Sequence, residues 1–180
     1  MLTSASACYE EAPPITGRVG VTLDASGDLA FAVVWCAAPP DGLTVYHDDD
    51  SNTTDPNPTD AMYHATGLGN AGSSTFSTIH PEPLWRLYKG SAQFADGILY
   101  VALPGVVNQR SDIIPVDFRP ADVKRRLRPG QVLFQLNGET EVITSAWDFL
   151  DEARAACRRG PLSWSGLTVP QPGRRKSWNT

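Results

Sequence analysis

The sequence predicts a mainly β domain of the α+β type. It reads as an antiparallel β-sandwich or partly open barrel of about seven or eight strands, with one short helix and one C-terminal helix. Three observations carry this. Short apolar segments recur between turn dipeptides along residues 17–47 and 84–144. Only residues 145–160 hold a sustained helical period. The 180 residues, 41% of them hydrophobic, suit a single core, and the 15 prolines and 15 glycines fit long punctuated connections rather than a disordered chain. No internal repeat with a period of roughly 20–50 residues is visible.

Residues 17–24 alternate, with Val19, Val21 and Leu23 on one side and small or polar residues between, as in a half-buried strand. Residues 25–28 (Ala-Ser-Gly-Asp) supply turn chemistry. In residues 29–36, Leu29, Phe31, Val33 and Trp35 fall on one face and Ala30, Ala32, Val34 and Cys36 on the other. Both faces are apolar, so this strand is expected at the centre of a sheet covered on two sides. Pro39-Pro40-Asp41-Gly42 turns the chain, and residues 43–47 make a third strand. Residues 48–78, rich in Asp, Asn, Thr, Gly, Ser and Pro, show no period and read as a long acidic polar loop.

Strands are expected again at residues 84–89, at 98–103 after the Asp96-Gly97 turn, and at 113–118, ended by Pro120. A short helix over 120–127 has Pro in its first turn and stops at Arg128-Pro129-Gly130. Residues 132–136 and 141–144 form a hairpin around Asn137-Gly138, a strong turn dipeptide. Ser145 and Asp148 match a capping box in its acidic variant. The helix they open carries Trp147, Phe149, Leu150, Ala153, Arg154, Ala156 and Cys157 at helical spacing, and Gly160-Pro161 ends it. Trp35 and Trp147 are expected in the core. The domain therefore spans 17–160, followed by a loosely ordered basic tail at 161–180, in which residues 162–169 offer an edge strand.

Charge is polarised along the chain. Residues 1–60 hold ten acids and one base, Arg18, whereas residues 120–180 hold six acids and ten bases. The base-rich part lacks a dense patch interleaved with aromatics and the pI is near 5.1, which argues against nucleic acid as a partner. No apolar run approaches the roughly 20 residues of a membrane helix.

Cys8 follows Met-Leu-Thr-Ser-Ala-Ser-Ala, a run of small residues, and precedes the polar stretch Tyr9-Glu10-Glu11-Ala12-Pro13-Pro14. This start resembles the end of a bacterial lipoprotein signal, with Ala5 standing where that signal carries Leu. Residues 1–16 then read as a tether with a truncated signal remnant. The whole layout, including a composition with twelve Arg to three Lys, resembles uncharacterised secreted proteins and lipoproteins of high-GC bacteria. The resemblance implies lipidation at Cys8, which is the one route to a membrane, and an extracytoplasmic, cell-envelope location. With Cys8 so used, Cys36 and Cys157 remain as a disulfide pair. Three reduced cysteines in a cytoplasmic protein, or a Cys8–Cys36 bridge in a non-lipidated secreted one, are the alternatives.

Chemistry-bearing patterns are sparse. Asp48, Asp50 and Asn52 place oxygens at alternate positions, like the opening of a calcium loop, with Asp55 nearby. Thr53 and Thr59 then stand where such a loop needs Gly and Glu, so a solvated acidic loop competes with a Ca²⁺ cofactor here. His47, His64 and His80, with Glu82, match no local metal spacing. G-x-S-x-G and S-x-x-K are missing, and the G-x-G-x-x-G of residues 67–72 follows no predicted strand. Trp85 and Tyr88, with His64 and His80, are the candidate surface for an unidentified protein or small ligand, core packing being the competing role of the two aromatics. The leading expectation is a non-catalytic, envelope-tethered or secreted β domain that binds through its long loop. An enzyme with a dispersed site beside residues 48–78 and a cytosolic interaction protein with reduced cysteines are the alternatives.

Overall fold

The computed structural model describes residues 16–47, 59–81, 83–105 and 113–159. Among them two sheets pack face to face, with a helix on the outer side of one. The first sheet runs β11 (Thr140–Ser145), β10 (Gln131–Leu136), β1 (Gly17–Leu23), β2 (Leu29–Trp35), β5 (Gly72–Ser77), with the short β8 (Ile113–Ile114) also paired to β1. The second runs β6 (Trp85–Gly90), β4 (Thr59–Ala65), β3 (Gly42–His47), β7 (Tyr100–Pro104), β9 (Val116–Phe118). Pairing is antiparallel except between β8 and β1. The sheets do not close on each other, so the sandwich forms and not the barrel.

β2 is buried along its whole length, as two apolar faces require. Its Leu29, Phe31, Val33 and Trp35 enter the core between the sheets, and its Ala32 and Val34 join Val132, Phe134, Phe149 and Ala153 in a second cluster on the outer face. Helix α2 (Ala146–Arg159) covers that outer face. The inter-sheet core is aromatic. Phe31 meets Tyr63, Phe76 and Phe118, and the Phe76 and Trp85 rings stack 4.3 Å apart, joining β5 of one sheet to β6 of the other. Helix α1 (Pro120–Arg126) adds Val123 from one end.

Four expectations are corrected. β1 is not half-buried: α2 covers its second face, so Arg18 is 1% exposed. Its guanidinium donates to the Gln135 carbonyl and lies over the Phe134 ring. Residues 48–78 are not one loop. Residues 48–58 lie outside the described residues, but β4 and β5 occupy most of the remainder. β5 escapes periodicity because Phe76 is its single buried apolar side chain and its other face is hydroxyl-rich. Trp147 is not core but 67% exposed. At about 100° per residue it lies on the opposite side of α2 from Phe149, whose face carries Ala153 and Ala156 into the sheet. Pro115 splits the expected strand at 113–118 into β8 and β9. The Asn137-Gly138 turn forms as expected, both residues with positive φ.

Candidate functional site

α2 is held at both ends. At its start the Ser145 Oγ accepts the Asp148 N–H at 3.1 Å and donates to the Asp148 carboxylate at 2.7 Å. This is the predicted box with its acid answering the hydroxyl. At the other end Cys157 is disulfide-bonded to Cys36, with their Cα atoms 6.0 Å apart. This bond replaces both the reduced-thiol alternative and the Cys8–Cys36 pairing. Such bridges persist in oxidising compartments and are rare in the cytosol. No helix among the described residues is long and apolar enough to cross a membrane. Cys8 lies outside the described residues.

Held there, α2 covers the middle of the first sheet and, among the described residues, leaves the outer face of β5, its edge strand, open. A trough runs between them. Its first section, about 270 Å³, has Ala32 and Val34 as floor, Phe149 and Leu150 as one wall, and Ser73 and Thr75 as the other. Its second, about 360 Å³, continues past Val34 to the disulfide, with Gly72 opposite Arg154 and Arg158. Ala146, Leu150, Arg154 and Arg158 follow at four-residue intervals and form the helix side throughout. That row spans roughly 18 Å at 1.5 Å per residue. Its lining among the described residues includes neither carboxylate nor imidazole. The G-x-G-x-x-G segment shapes the far end: Trp35 Nε1 donates to the Gly69 carbonyl at 2.7 Å, and a Cβ at Gly72 would press on the Trp35 ring at 3.0 Å.

The sequence-predicted surface residues divide. His64 and Tyr88 come together on the outer side of the second sheet, with ring centroids 4.6 Å apart. Trp85 does not line a surface. Strand alternation turns it inward at 1% exposure, where Nε1 donates to Ser74 Oγ at 2.9 Å. His80 is exposed in the connection after β5. The calcium candidates Asp48, Asp50, Asn52 and Asp55 lie outside the described residues, within which no group of three or more metal-binding side chains occurs. His47 is instead a clamp: its Nδ1 lies 2.6 Å from Asp60 Oδ2, and its backbone N–H donates to the same oxygen at 2.9 Å. This fastens β3 to β4 where residues 48–58 leave and return.

The trough escaped sequence reasoning because β5 was unread. The visible signal was the four-residue row Leu150-Arg154-Arg158, which changes from apolar to cationic along one side of an otherwise predicted helix. The geometry defines a β-sandwich with a disulfide-stapled helix laid across one sheet. The chain matches no protein-family model, no curated protein and no solved structure.

Proposed function

We propose that the chain is a non-catalytic ligand-binding domain of an extracytoplasmic compartment, with its ligand in the trough between α2 and β5. The observation that carries this is the Cys36–Cys157 bond, which fixes the end of α2 beside an apolar trough left open by the edge strand. Pockets of a few hundred Å³ with apolar walls and a few polar groups are the usual form of small-ligand sites. The lining offers hydroxyls and guanidinium groups without an adjacent base, which supports binding rather than turnover. The lipoprotein-like start, with Cys8 as attachment point, supports an envelope-tethered placement. β5 belongs to the 48–78 stretch, so that part of the chain contributes to binding as one wall of the site.

The test has two parts. Mass spectrometry of the protein from its native host should find Cys36 linked to Cys157 and Cys8 modified; free thiols at all three positions would remove the compartment. Titration of the oxidised full chain with a neutral apolar fluorophore such as N-phenyl-1-naphthylamine should show saturable binding that Ala32→Leu, which fills the trough floor, abolishes. Binding that persists in A32L would place the ligand elsewhere.

A further inference from the structure

The trough is chemically asymmetric, and the asymmetry points to the kind of ligand. At the Ala146 end its helix wall is Phe149 and Leu150 over the Ala32 and Val34 floor. At the disulfide end the helix wall is Arg154 and Arg158, one turn apart on the same side and both exposed. Like charges at this spacing repel each other in a helix. The ion pairs formed among the described residues engage His47, Lys124, Arg125 and Arg126, and not these two arginines. Both residues line the cavity that continues the apolar section through the shared Val34.

From this we infer that the ligand is a small amphipathic anion, with an apolar chain against Leu150 and Phe149 and a carboxylate or phosphate head between Arg154 and Arg158. Guanidinium groups present paired N–H donors that match both head types. The apolar section excludes a fully hydrated anion as the whole ligand, and the paired cations disfavour a cationic or zwitterionic amphiphile of the same tail. The inference rests on the trough being the binding site. It adds to that reading the sign and place of the head group.

The experiment is displacement of bound N-phenyl-1-naphthylamine from the oxidised full chain, below micelle-forming concentrations. The competitors are decanoate, decyl phosphate and decyltrimethylammonium. Both anions should displace the probe at concentrations at least tenfold below the cation. Arg154→Gln and Arg158→Gln change exposed side chains, and competitor affinities are compared after correction for each variant's own probe affinity. Each should weaken the anions about tenfold, the usual worth of one hydrogen bond to a charged group. Equal displacement by anion and cation, or an anion preference that survives both substitutions, would overturn the inference while leaving the trough as a ligand site. If residues 160–180 of the chain itself fill the trough, the probe does not bind at all, and both readings fall together.

Discussion

Gly20 is the residue on which the helix-covered face turns. It lies in β1, between strands β2 and β10, at the point where Phe149 comes down from α2. A Cβ here would run into Cγ1 of Val132 and come within 3.3 Å of Phe149 Cε2. Val132 is β-branched and buried, so it has little room to yield. Gly20→Ala is therefore expected to destabilise the domain by about 1–3 kcal/mol through overpacking, read as a lower urea midpoint. The same stability as wild type would mean that α2 does not rest on this position. From the sequence alone Gly20 is one more small residue on the presumed solvent side of β1. Arg18, two residues earlier, misleads in the same way. Its position in an alternating strand predicts exposure, yet α2, lying over that side, buries it, and its guanidinium is accommodated by a carbonyl and an aromatic face.

Among the elements, α2 has the weakest local claim on its position and the strongest tertiary one. Its caps and period are legible in residues 145–160, and an isolated helix of this length is marginal in water. What fixes it is one apolar face and one covalent bond to the strand it crosses. The bond closes a loop of 121 residues. The chain-entropy account assigns such a closure about 4–5 kcal/mol, through the unfolded state. Reduction, or the double substitution Cys36→Ala and Cys157→Ala, is expected to lower unfolding free energy by that order and to lower affinity for the neutral probe. A reduced protein with an unchanged urea midpoint would show that the staple adds nothing. The strands show the opposite balance. β2 and β10 are readable because both of their faces are apolar. β5 is not, because an edge strand with Phe76 as its one buried apolar side chain looks like a polar loop until its partner is known, and β4, although interior to its sheet, has Ala61 and Tyr63 as its buried side chains, too few for a visible period.

For the whole molecule, the two sheets are expected to unfold as one body, because their aromatic side chains interlock. Tyr63 sits at that contact, fully buried, with its hydroxyl donating to the Thr78 carbonyl at 3.2 Å. Burial pushes its phenol well above the usual value near 10. A raised folded pKa means that the neutral phenol's contribution is fully present below about pH 10. It is lost as the pH climbs from there toward the folded value, since the unfolded chain ionises first. Alkaline titration followed by phenolate absorbance should find Tyr63 ionising only together with loss of near-UV circular dichroism. In Tyr63→Phe that late step should shrink by one tyrosine's absorbance, the rest belonging to Tyr100, whose phenol is also pushed up by burial. A Tyr63 signal that titrates reversibly near 10 in the folded protein would contradict its burial.

Alternation, turn dipeptides and capping residues determined that this chain is mostly β, that residues 29–36 run through the middle of a sheet, and that a helix follows Ser145. Those are local properties, encoded within a few residues of where they act. The sequence-level resemblance also singled out Cys36 and Cys157, which the fold then joined. The tertiary structure alone decided which surface is open. Whether Trp147 meets solvent, whether Ser73 and Thr75 line a wall, and whether Arg154 faces a cavity all depend on where α2 crosses the sheet, and Trp85 is buried only because the two sheets pack on each other over it. That crossing is set by the Cys36–Cys157 bond and by Phe149 and Ala153 packing with Ala32 and Val34, more than a hundred positions away, together with the nearer Phe134, and no short window of sequence contains all these partners.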